Sequence, residues 1–82
     1  MKLEIYALYD PKLERFQMPF FVRNEQEAKV LILRSGIPKS IYDDIRLYRL
    51  GVFSDDDINK PMLSYVELDQ IKLLPYPEVN NG

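Results

Sequence analysis

The sequence predicts a small α+β domain: a four-stranded antiparallel sheet, in the order strand, strand, helix, strand, strand, with one helix on one face. Three observations predict it. Four segments alternate at period two, one segment between the second and third has a helical cap and a 3–4 apolar spacing, and the connections are short and rich in Asp, Asn, Gly and Pro. With 82 residues there is room for one domain, and a chain of that size buries about 60 to 65% of its unfolded surface. The domain is expected over 1–74, with 75–82 as a flexible C-terminal tail because it holds two prolines and a polar end.

The first strand is expected over 3–9, Leu-Glu-Ile-Tyr-Ala-Leu-Tyr, with Leu3, Ile5, Ala7 and Tyr9 on one side. Asp10-Pro11-Lys12 turns the chain, and 15–23 resumes the alternation with Phe16, Met18, Phe20 and Val22 on one side. Pro19 lacks an N–H for the ladder, which places this second strand at an edge or puts a bulge there. Asn24 is a helix cap, and Glu27 three residues on can return a bond to the cap's N–H. The helix is expected from Glu25 to Ser35, with Ala28, Leu31 and Ile32 as its buried stripe and Gly36 as its left-handed stop. Residues 38–44 fit either one helical turn or an ordered loop. Ile45 to Phe53, branched and aromatic throughout, is the best strand in the chain. Ser54 to Lys60 forms a turn, and Met62 to Leu68 pairs back as the fourth strand.

Composition excludes more than it assigns. The 46% apolar and 29% charged fractions are those of an ordinary globular chain. The apolar run Val30 to Leu33 is far short of the roughly 20 residues that span a bilayer. Met1-Lys2-Leu3-Glu4 puts an acid where a signal peptide needs an apolar core, so no membrane association and a cytoplasmic location are expected. Without cysteine or histidine, there is no thiol nucleophile, no disulfide, no imidazole base and no usual transition-metal site. Three glycines, Gly36, Gly51 and Gly82, cannot cradle a phosphate. Asp55, Asp57 and Asn59 match three positions of a calcium loop, but Lys60 stands where its glycine belongs and Val66 where its glutamate does. The expectation is a non-enzymatic protein with no cofactor and no metal.

The net charge of −2 is unevenly spread: residues 1–49 hold nine Lys or Arg against seven Asp or Glu, +2, and residues 50–82 hold two against six, −4. One helix covers one face of a sheet, yet the strand phase opposite to the one assigned to the core carries Tyr6, Leu8, Phe21, Tyr48, Leu50 and Val52, edged by Glu4, Arg23 and Arg46. Such a stripe calls for a cover. A second copy of the chain in a homodimer, the chain's own Ile71, Leu73 and Leu74 folding back, and a nucleic-acid strand stacking on Tyr6, Phe21 and Tyr48 all fit.

Ala7-Leu8-Tyr9-Asp10, Met18-Pro19-Phe20-Phe21-Val22 with Ala28 following in a helix, and Leu47-Tyr48-Arg49-Leu50-Gly51-Val52-Phe53 ahead of an acidic turn resemble the small nonstructural protein of the gokushovirus branch of the microviruses, which are single-stranded DNA phages. The likeness covers residues 3 to 60. The chain departs from that pattern after Gly36, where a longer acidic loop is compressed, so features of that loop do not carry over. The resemblance implies a DNA-binding accessory protein of the infected bacterium, left out of the virion, that serves genome replication and packaging. On this reading Arg23, Arg46 and Arg49 meet phosphates while Tyr6, Phe21 and Tyr48 offer stacking faces. The rival expectation is an adaptor that docks a phage or host replication protein through the same face without touching DNA.

Overall fold

The computed structural model describes residues 1–77, and the remaining five, part of the expected tail, lie outside the described residues. β1 (Lys2–Asp10) is central, with β2 (Arg15–Phe16) and β3 (Phe20–Val22) both pairing along one edge of it. α1 (Glu25–Leu33) and the one-turn α2 (Lys39–Tyr42) follow, then β4 (Arg46–Ser54) on the other edge of β1 and β5 (Met62–Ile71) outside β4. All pairings are antiparallel, and the expected α+β class is the observed one. The second strand is broken into two pieces where Pro19 leaves the ladder, so the sheet counts five strands in place of four, and the ambiguous 38–44 segment resolves as helical.

Local chemistry explains the elements. Asp10 Oδ1 accepts from the N–H groups of Lys12 and Leu13 at 2.9 and 3.4 Å, which closes the first turn and lets Glu14 hold a positive φ of 52°. Gln17 N–H donates to Leu8 O at 2.8 Å, the last bond before Met18-Pro19 interrupts the pairing. Asn24, extended at φ −159°, caps α1 by accepting from Glu27 N–H at 2.8 Å, a bond worth about 1 kcal/mol. The Glu27 carboxylate turns to Arg23, 3.7 Å away, instead of reaching the cap's N–H. α1 ends two residues before the expected Ser35 because Ser35 bonds the Ile32 carbonyl with both its N–H (3.2 Å) and its hydroxyl (2.6 Å). Gly36 then reverses the chain at φ 79°.

The core sits where α1, α2 and the segment after β5 converge on one sheet face. Tyr6, Leu8 and Leu47 from the sheet meet Val22, Ala28, Ile32, Tyr42, Ile45 and Ile71, with Leu73 and Tyr76 packed against them. Leu31, expected in the helix stripe, is half exposed, because the sheet lies on the Ala28–Ile32 line. The C-terminal segment does fold back, but onto this same face: the Tyr42 hydroxyl donates to the Leu74 carbonyl, and the Tyr76 hydroxyl to the Ile37 carbonyl at 3.0 Å. The rings of Tyr42 and Tyr76 lie 5.0 Å apart.

The register corrects the face assignment. Tyr6 stands beside Phe20, Leu8 beside Leu47, and Glu4 beside Val22 and Val52, so Tyr6, Leu8 and Val52 lie on the helix side. Ile5 stands beside Phe21, Ala7 beside Tyr48, and Tyr9 beside Phe16 and Arg46, so in β1 and at Phe16 the phase assigned to the core is the open one, while Phe20 and Val22 lie on the helix side as expected. Both phases of β1 are apolar, and only the pairing partners decide between them. A bulge between Arg49 and Gly51, opposite Ile5 and Tyr6, switches the phase of β4, so that Leu47 and Arg49 before it and Val52 after it all lie on the covered face.

Gly51 marks a close approach: a Cβ there would sit 2.5 Å from the Ser64 backbone oxygen on β5. Gly51→Ala is expected to force β4 and β5 apart and cost about 1–3 kcal/mol, read as a lower urea midpoint with an unchanged slope.

Candidate nucleic-acid interface

On the open face the pairing of β1 with β2 and β4 gathers three rings. Tyr9 and Phe16 are cross-strand partners, with ring centroids 5.2 Å apart. Tyr48 meets Phe16 edge-on at 5.6 Å and Tyr9 at 6.5 Å. Arg46, Tyr9's partner on β4, is exposed beside them, and Leu68 closes the shallow hollow they line. Aromatic faces bounded by a guanidinium stack planar groups and meet anions. Nearer the other end of the same face, Phe21 and Phe53 pack edge to face at 6.2 Å, next to Leu63 and Tyr65, which are 68% and 87% exposed.

Of the six residues expected to bind, the structure brings Arg46 and Tyr48 together and puts Phe21 further along the same face. Tyr6 is elsewhere. Its ring is fully buried on the helix side, stacked on Phe20 at 6.2 Å, and its hydroxyl donates to Glu4 at 2.7 Å. Arg49 is on that covered side too, held by Asp69 at 3.3 Å and Glu4 at 3.9 Å. Arg23 is 82% exposed in its side chain and contacts only Glu27 among the described residues, at 3.7 Å. Sequence reasoning missed Tyr9 and Phe16 as site residues. The signal for them was the short turn at Asp10, which obliges residues on its two sides to face each other.

The acidic turn after β4 is engaged by the chain's own amino group, which lies 2.5 Å from Asp55 and 3.3 Å from Asp56. Hydrogen bonds from that ammonium and from Ser54 hold Asp56 below the usual carboxylate range. Among the described residues no group of three acids, histidines or cysteines is placed to hold a metal ion. A hollow of about 450 Å³ between the Gln17–Phe20 segment and α1 is walled by Leu8, Met18, Phe20, Leu31 and Ile32, together with the polar Gln17, Arg34 and Ser35. No helix among the described residues is long and apolar enough to cross a membrane.

Comparison with known proteins finds no matching family model, no matching curated protein and no matching solved structure.

Burial, and then the bond to Glu4, pushes the Tyr6 hydroxyl well above its ordinary value of 10.0, and burial raises Tyr42 as well. Both groups hold their protons more tightly when folded, so the stability they contribute is complete below pH 10 and declines as pH climbs above it. Ultraviolet titration should show late ionisation that Tyr6→Phe and Tyr42→Phe each reduce. Ionisation of both hydroxyls at their ordinary pH in the folded protein would refute their burial.

Proposed function

We propose that this chain is a non-enzymatic accessory protein that binds single-stranded DNA, in the replication and packaging of a single-stranded DNA phage genome. The observation that carries the reading is the Tyr9–Phe16–Tyr48 cluster beside exposed Arg46 on a sheet face that α1 does not cover. Bases stack on the rings and a phosphate meets the guanidinium. Sheet-based single-strand binders work in this way, with stacking worth about 1–3 kcal/mol per base. The resemblance of 3–60 to the gokushovirus nonstructural protein supplies the biological setting. Compared with the sequence-only assignment, the platform gains Tyr9 and Phe16 and gives up Tyr6 and Arg49.

A protein-docking adaptor is the second reading, and a specific observation favours it. Arg49 lies on the covered face with Asp69 and Glu4, so it adds no cation to the open face, whose exposed Phe21, Leu63 and Tyr65 suit another protein.

Titration of a fluorescent oligonucleotide at two salt concentrations separates the readings. For DNA binding, affinity falls with salt by a slope of about −0.7 per phosphate met, Arg46→Ala lowers that slope by about one such step, and Tyr48→Ala weakens binding by about 1–3 kcal/mol. Tyr6→Phe leaves binding unchanged. No binding at low salt sinks the DNA reading and leaves the adaptor.

A further inference from the structure

We propose that the distal end of the open face, centred on Phe21, Phe53, Leu63 and Tyr65, is a self-association surface that takes a second copy of this chain about a two-fold axis. This deepens the DNA-binding reading: it rests on the same face, but on the opposite end from the Tyr9–Phe16–Tyr48 platform, and it would set two platforms in one particle.

Four observations carry it. First, the chain is more open than one of its size should be. Its accessible surface is 6280 Å², against about 5,100 Å² expected for a compact monomer of this mass. The excess is on the scale of the roughly 800 Å² that each partner contributes to a standard interface. Second, the excess has a shape. The radius of gyration is 14.7 Å and the extents are 56 × 28 × 16 Å, where about 12 Å is expected for a compact chain of this length. The core residues of β4 and β5, Leu47 and Ile71, belong to one end of the hairpin. The other end, Gly51–Ser54 paired with Met62–Tyr65, extends away from them, and a sheet segment without a second layer is marginal in water.

Third, the patch is chemically unlike the platform. At the paired positions of this end, Leu3–Phe53–Leu63 and Phe21–Ile5–Gly51–Tyr65, there is no charged side chain, so a phosphate backbone finds nothing to hold there. Phe21, Leu63 and Tyr65 are nonetheless 50%, 68% and 87% exposed. Apolar surface is its matching partner. Fourth, the rim carries both signs of charge. Arg23, just past β3, flanks the patch on one side, 82% exposed and 3.7 Å from Glu27, while the hairpin end with exposed Asp57 flanks it on the other. A two-fold contact pairs a residue i with j and j with i, so it can bring each cationic flank to the partner's acidic one. Another protein would need both the apolar patch and this charge order; a second copy has them.

The chain has no cysteine, so association can be read without disulfide artefacts. Light scattering behind size exclusion should give twice the chain's mass at micromolar to millimolar concentrations. Leu63→Asp combined with Tyr65→Asp should raise the dissociation constant at least 100-fold and give the single-chain mass, with circular dichroism unchanged. Arg23→Glu should weaken the dimer about 10-fold and Asp57→Arg in the same chain should restore it, a charge-swap readout that does not depend on the apolar variants folding. A wild-type monomer at millimolar concentration overturns the proposal, as does a dimer that survives the Leu63 and Tyr65 changes. The two readings fail separately: a monomer that still binds oligonucleotide through Arg46 removes only the pairing, and a dimer that binds none removes only the DNA reading.

Discussion

Leu8 opposite Leu47, and therefore Ala7 opposite Tyr48, is the pairing on which the rest of the molecule depends. β1 is apolar on both of its phases, and α1, α2 and the Lys72–Pro77 segment roof one of them. Because side chains alternate with period two, this register decides at once which set is sheltered and which is presented. It sends Tyr6 and Leu8 under α1 with Val22, Ala28 and Ile32, and it leaves Tyr9, Phe16, Tyr48 and Arg46 on the other side. A slip of one residue would exchange the two sets and would bury Arg46 without a partner, at a cost of several kcal/mol.

The polar groups of the covered face pair with one another, although the Arg49 Nε is buried without a hydrogen-bond partner. Glu4 accepts from the Tyr6 hydroxyl and faces Arg49, which also reaches Asp69. The arginine sits just before the bulge in β4, the last residue before the strand changes phase. This chain of contacts removes a cation from the surface and fixes a phenol that looked free in the sequence. Strand alternation separates two neighbouring residues by role: Tyr48 is on the open face and Arg49 on the covered one.

Much of the architecture was legible because its signals are local. Asn24 as cap, Gly36 as helix stop and Pro19 as the break in an edge strand each act within a few residues of themselves and appear as expected, and the strand expected over 45–53 forms, although a bulge between Arg49 and Gly51 interrupts its alternation. The orientation of the sheet was not legible in the same way. Glu4 and Arg23 argued for one solvent phase, but a glutamate that can reach a tyrosine two residues on and an arginine across the sheet need not face water. Long-range pairing decides this, and one sequence does not display it. Consequently the candidate site was half visible: Arg46, Tyr48 and Phe21 were found, Tyr9 and Phe16 were assigned to the core, and Tyr6 and Arg49 were taken as exposed. The docking of Tyr76 against α2 was equally hidden, because two flanking prolines read as a loose end when its contacts, Tyr42 and Ile37, are more than thirty residues away.

The choice of face can be measured directly by nitrating the tyrosines of the folded protein and locating the modified rings by mass spectrometry. Tyr48 should react under native conditions, and Tyr6 should stay unmodified until denaturant opens the helix-covered side. Modification of Tyr6 as fast as that of Tyr48 would mean that the sheet presents its other face, and the platform, the dimer patch and the polar chain of the covered face would all have to be reassigned.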